Sequence, residues 1–196
     1  MIGVLALQGN FAMHAAACEQ AGASVQLIKT PAQLQAVRGL ILPGGESTVM
    51  LKHFELQSEW WPALQAFHDS GKALFGTCAG LILLAKQVQP DQKSLGFLNI
   101  TVQRNAYGRQ LDSHTIHARF DLNGEQCDID MPFIRAPKIT AMGPEVKPIG
   151  WVDRQVVMVQ HGNVLGAACH PEATTMRVHQ YFLSVLDGAA AIAKSL

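Results

Sequence analysis

The chain has no excess of charge of either sign. Its 196 residues hold 15 Lys and Arg against 15 Asp and Glu, so no positive field is available to gather a phosphate backbone or an anionic bilayer, which argues against nucleic acid and membrane as partners. It also lacks long hydrophobic runs. Apolar stretches such as 80–85 and 164–169 stop far short of the roughly 20 residues a spanning helix needs. Cysteine is sparse. Cys18, Cys78, Cys127 and Cys169 form no CxxC pair and no Cys/His cluster, which excludes a zinc ribbon and a disulfide framework and leaves each to be judged alone as buried filler or nucleophile. No basic leader precedes the apolar stretch 1–9, so a secretory signal is not expected and a cytoplasmic location is. Repeats and low-complexity linkers are absent too. What is present is an apolar majority, 48% against 15% charged residues. That composition collapses, and at about 150 residues per domain the expectation is one domain over 1–196.

The apolar run 2–7, ending in Gln8-Gly9, has the form of a strand buried on both faces of a parallel sheet. Helix formers fill 11–21, with Gly22 placed to end a helix. Residues 24–28 read as a second strand, Thr30-Pro31 as a cap with proline at the first helical position, and 39–42 as a third strand stopped by Pro43-Gly44-Gly45. Helices are expected over 48–57 and 61–69, a strand over 73–77, and a helix from 79 to about 88. Beyond residue 98 the pattern alternates. Strands are expected at 99–104, 115–120, 149–152 and 156–160, then a buried strand at 164–169 and an amphipathic helix over 175–193. The sum is a mixed α/β sheet, whose binding sites lie at the carboxyl ends of strands.

Three motifs fall at such ends. Gly76-Thr77-Cys78-Ala79-Gly80 has the form of a nucleophile elbow with cysteine in the serine position. Its glycines admit neighbouring backbone, a helix N-terminus stabilises thiolate, and the Ala79 N–H points where an oxyanion would form. The bland reading is a small residue in a tight connection. His170-Pro171-Glu172 follows the buried strand 164–169. In an extended segment i and i+2 project to one side, so Glu172 can orient His170 as a general base for Cys78; the bland reading is a strand-end histidine beside a solvated glutamate. The third motif, residues 42–48, is a glycine turn that offers backbone N–H donors, with Ser47 as N-cap. It lacks the lysine of a phosphate-binding loop.

These blocks, LPGGEST at 42–48, FGTCAG at 75–80, RNAYGRQ at 104–110, FIRAP at 133–137 and HPE at 170–172, resemble those of class I glutamine amidotransferases, and within them the glutaminases of two-subunit pyridoxal 5′-phosphate synthases. The likeness covers nearly the whole chain. It implies an α/β, three-layer, flavodoxin-like fold with a mixed, mostly parallel sheet, helices on both faces and an antiparallel extension. It further implies that Cys78 attacks the side-chain amide of glutamine, that His170 serves as base then acid, and that Glu172 holds His170. Gly45, Glu46 and Ser47 would line the substrate, Gly45 and Ala79 the oxyanion, and Arg104, Ile134 and Arg135 the glutamine main-chain groups. Gln8 would lie beside the pocket at a subunit face. No cofactor or metal is implied. The implied partner is a (β/α)8-barrel synthase in a large hetero-oligomer, which uses the ammonia for vitamin B6 synthesis.

Other readings share the elbow: a glutaminase of histidine or purine biosynthesis, or a non-enzymatic module of the same fold. Residues 114–130 read as a strand pair and loop rather than a metal site. Cys169 is expected in the core, Trp60-Trp61 as a packing pair, and His14 as a surface or interface residue.

Overall fold

The computed structural model describes residues 1–106, 114–133 and 136–193. The first half alternates strand and helix: β1 (Ile2–Leu5), α1 (Phe11–Gln20), β2 (Val25–Ile28), β3 (Gly39–Leu42), α2 (Ser47–Leu56), α3 (Trp60–Asp69), β4 (Ala73–Thr77) and α4 (Ala79–Leu84). β1, β3 and β4 are buried along their whole length, as apolar strands covered on both faces must be. Gly22 ends α1 with φ +86, a conformation that glycine adopts without a Cβ clash. Thr30-Pro31 opens a 3-10 turn, Pro31–Ala36, whose Gln33 side chain accepts the Thr30 N–H at 3.0 Å.

The second half is strand-rich: β5 (Ala85–Gln89), β6 (Leu98–Gln103), β7 (His114–Leu122), β8 (Glu125–Phe133), β9 (Lys138–Met142), β10 (Lys147–Val152), β11 (Gln155–His161) and β12 (Val164–Ala167), closed by α5 (Arg177–Ala193). The strand pair expected at 114–130 is the hairpin β7–β8, turning at Asn123-Gly124, both at positive φ, the sign a tight hairpin turn requires.

Nine strands form one sheet in the order β2-β1-β3-β4-β12-β11-β10-β7-β8. The first five run parallel and the rest antiparallel. This is the flavodoxin-like order with an antiparallel extension. Alternation along β4 sorts the helices. A Cβ at Gly76 would meet Gly80 and Leu84 of α4, whereas Phe75 packs against His14 of α1 and against His179 and Phe182 of α5. One face is therefore covered by α1 and α5 and the other by α4, which packs with α2.

Two features differ from the sequence expectation. The helix expected to reach residue 88 stops at Leu84, because Gln87 to Gln89 pair with Thr101 to Gln103 of β6 and sheet pairing overrides local helix preference. β5, β6 and β9 then make a second, three-stranded sheet that the sequence did not announce. Trp60 is fully buried against Phe54, with ring centroids 5.7 Å apart, and Trp61 meets the same ring edge-on.

Candidate active site

β4 and β12 are adjacent and parallel, with Thr77 opposite Ala167, so the residues that follow them emerge side by side. Cys78 follows β4 at φ 46 and ψ −100, a strained conformation for a residue with a Cβ. It is held there by its N–H, which donates to Ala167 O at 2.8 Å. The flanking glycines are required. A Cβ on Gly80 would lie 2.0 Å from Leu42 O, and one on Gly76 would lie 2.6 Å from the Gly80 backbone. α4 begins at Ala79 and is only six residues long, so what it offers an anion is the free amides of its first turn.

His170 follows β12, and its Nδ1 is 2.8 Å from Glu172 Oε1. The approach is made differently from the extended i, i+2 geometry expected of the sequence. Pro171–Ala173 form a 3-10 turn, and that turn swings Glu172 back onto the ring. With Nδ1 engaged by the carboxylate, Nε2 is the nitrogen left for Cys78, which lines the same cleft. Burial disfavours a charged His170, but the hydrogen bonds to Cys78 and Glu172 and their charges outweigh it and raise its pKa to about 10. Burial likewise opposes charge on Glu172, yet the His170 hydrogen bond and the nearby histidines hold it down to about 2. The other cysteines are different. Burial and Glu19 push Cys18 up to about 12, and burial with Glu172 raises fully buried Cys169 further.

Cys78 and His170 line a cleft of about 380 Å³ whose other walls include Asn10, Gly45, Glu46, Ser47 and Arg104. Gln8 lies behind the wall: its amide accepts the Glu46 N–H at 3.2 Å and donates to Glu46 O at 3.0 Å, fixing the Gly45-Glu46 backbone. Arg104 Nη2 reaches Glu46 Oε1 at 3.4 Å across the mouth. Ser47 is not the N-cap of α2. Glu46 occupies that position, and the buried Ser47 hydroxyl donates to Gln92 Oε1 at 3.1 Å. Ile134 and Arg135, and residues 107–110 of the RNAYGRQ block, lie outside the described residues.

Two participants were not legible as such. Asn10 Nδ2 donates to Glu172 Oε1 at 3.3 Å. His14, expected at the surface or at an interface, is fully buried: its Nε2 lies 3.4 Å from Glu172 Oε2 and 2.9 Å from Thr77 Oγ1. The available signal was spacing. Residues 10, 14, 17 and 18 share one face of α1, and His14, Ala17 and Cys18 are its buried residues. Among the described residues no group of three His, Cys, Asp or Glu is placed to hold a metal, and no helix is long and apolar enough to cross a membrane.

A family model described as the SNO glutamine amidotransferase family matches residues 4–187. The chain belongs to that family. A relative from Deinococcus radiodurans, named pyridoxal 5′-phosphate synthase subunit PdxT, is 47% identical, with 94% of this chain and 96% of the relative covered. One of the same name from Koribacter versatilis is 45% identical over 94% of this chain and 95% of the relative. A solved structure titled as a glutamine amidotransferase superposes with a TM-score of 0.87 at 36% identity, covering 95% of this chain and 98% of that one. Membership of the glutamine amidotransferase family gives the chain its substrate class, a carboxamide.

Proposed function

We propose that the chain, acting as one domain over 1–196, hydrolyses L-glutamine to L-glutamate and ammonia and delivers the ammonia to a pyridoxal 5′-phosphate synthase subunit. The observation that carries this reading is a cysteine on a strained elbow that shares its cleft with a histidine anchored to a buried carboxylate.

The arrangement supports the following steps. Cys78 Sγ forms a bond to the amide carbon of the glutamine side chain while His170 holds the thiol proton. The tetrahedral oxygen is met by the Ala79 and Gly45 N–H groups. The carbon–nitrogen bond breaks as His170 gives that proton to the leaving nitrogen, releasing ammonia and leaving a glutamyl thioester on Cys78. Water, deprotonated by His170, attacks the thioester; the carbon–sulfur bond breaks, glutamate leaves and the thiol is restored. Arg104, whose planar fork suits a carboxylate, and Glu46 receive the main-chain groups of glutamine, with Ser47 beside them in the cleft; the family resemblance assigns the same role to Ile134 and Arg135, which lie outside the described residues. No step draws on a cofactor.

The partner that consumes the ammonia is a (β/α)8-barrel synthase in a cytoplasmic hetero-oligomer, with Gln8 near the shared face. The histidine and purine pathway readings and the non-enzymatic module are disfavoured, because the synthase-subunit relatives cover the chain almost end to end, and the hydrogen-bonded His170–Glu172 pair in the cleft of Cys78 supports an enzyme. The test is ammonia release from glutamine by the purified chain, alone and with a barrel synthase subunit. Release that rises with the partner supports the reading. Release unaffected by it removes the pathway, and none in either condition removes the activity.

A further inference from the structure

The reaction above uses one side of Glu172. The other side is closed by two more buried histidines for which that reaction has no role. His14 Nδ1, on α1, and His179 Nε2, on α5, lie 2.9 Å apart. Phe75 meets both rings nearly edge-on, at centroid distances of 6.2 and 6.0 Å, so packing fixes their orientation.

The start of α1 faces both oxygens of the carboxylate. Asn10 precedes α1 and His14 lies one turn further along the same face. Asn10 donates to Oε1, while His14 Nε2 lies 3.4 Å from Oε2, a buried oxygen that has no hydrogen-bond partner among the described residues. Burial takes His14 down to about 4 against the pull of Glu172, and burial together with His14 takes His179 to about 3. Both rings are thus neutral at pH 7, with one proton between His14 Nδ1 and His179 Nε2. A buried ionised oxygen demands a donor. That demand places the His14 proton on Nε2, shared between Thr77 Oγ1 and Glu172 Oε2, and lets His14 Nδ1 accept from His179.

We propose that His14 is a positioning residue for glutamine hydrolysis: its Nε2–H, oriented by His179, holds Glu172 Oε2 so that Oε1 stays on His170 Nδ1 through both proton transfers. Through Thr77, the residue before Cys78, the same imidazole ties the elbow to the carboxylate. The inference rests on the reading of Cys78, His170 and Glu172 as the reacting set.

The experiment compares steady-state glutamine hydrolysis by the synthase complex carrying His14→Leu, His14→Gln or Cys78→Ala, with folding checked by thermal melting. Leucine fills the space without a donor, whereas glutamine keeps a side-chain N–H. An orienting carboxylate is worth about 10⁴-fold, so a group one bond further out is expected to be worth less. His14→Leu should lower kcat about tenfold to a hundredfold with KM within about twofold, and His14→Gln should recover to within about threefold of wild type. A wild-type kcat in His14→Leu, or a glutamine variant no better than leucine, overturns the role. A second readout needs no substitution: nitrogen-15 chemical shifts of the wild-type chain should report His14 as the neutral Nε2–H tautomer, and an Nδ1–H tautomer overturns the proposal. Activity surviving in Cys78→Ala would instead sink the reacting set itself. Cys78→Ala inactive with His14→Leu normal would sink this inference alone.

Discussion

His170 and Glu172, at the carboxyl ends of the parallel strands, lie 2.8 Å apart; His117 and Asp130, paired across β7 and β8 in the antiparallel extension, lie 2.9 Å apart. Residue types and distance are nearly the same, and the surroundings differ. The first pair is 8% and 0% exposed, the second 70% and 68%. In both, the carboxylate raises the histidine pKa, His117 through its hydrogen bond to Asp130 and His170 through Cys78 and Glu172 against the cost of burial. At the surface such a pair is screened and contributes little. In the cleft it is fixed by Asn10, Gly44 and Pro132 around it and aimed at a thiol. A histidine beside a carboxylate becomes a site when burial and a third reacting group coincide with it.

The sharpest way to break this comparison is to remove the third group. Cys78→Ala should reduce glutamine hydrolysis by about 10⁴-fold or more without lowering Tm; activity within tenfold of wild type would contradict the assignment. Next is the carboxylate. Glu172→Gln should lower kcat by about 10²- to 10⁴-fold, since a neutral amide no longer stabilises the positive charge that His170 carries during the reaction, whereas Asp130→Asn should leave kcat unchanged.

Smaller is Arg104→Ala, expected to raise KM for glutamine about tenfold with kcat nearly intact, the scale of one charge-assisted hydrogen bond. A change confined to kcat would place Arg104 elsewhere.

The buried histidines also set a pH dependence. His14 and His179 fall from an ordinary 6.5 to about 4 and about 3, so below pH 6.5 the unfolded chain takes up protons that the folded chain refuses. Stability is therefore lost as pH falls from 6.5 toward 4, by about 1.4 kcal/mol per pH unit for each histidine. Glu172, lowered from 4.5 to about 2, adds to the loss below 4.5. Denaturant titrations from pH 7 to 4 should show this slope, and His14→Gln should make it shallower; a flat profile would mean that the histidines are charged or exposed. Smallest of all, His117→Ala should leave kcat, KM and Tm unchanged.

The same contrast explains what the sequence could reveal. Continuous apolar runs announced β3 and β4 to the residue and β1 and β12 to within two residues at their ends, because strands buried on both faces tolerate little else. Cys78, His170 and Glu172 were legible because the elbow and the His-Pro-Glu turn are local, each set by glycine or proline geometry within five residues. What stayed hidden depends on distant chain. Residues 85–89 form a strand because of a pairing partner at 101–103. His14 finds its meaning in Thr77, Glu172 and His179, between 63 and 165 positions away, and a polar residue on an otherwise unremarkable helix carries no mark of such partners. Ser47 has the residue type of a cap, and its hydroxyl is taken instead by Gln92.

The central claim, that the thiol at the end of β4 is the one that attacks glutamine, is tested most directly by covalent capture. The chain, together with a pyridoxal 5′-phosphate synthase subunit, is treated with a glutamine-shaped diazoketone and the modified peptide is located by mass spectrometry. The account predicts label on Cys78 alone among the four cysteines, blocked by excess glutamine and accompanied by loss of hydrolysis. Hydrolysis that survives full labelling of Cys78, or glutamine-protected label on Cys18, Cys127 or Cys169 instead, would contradict it.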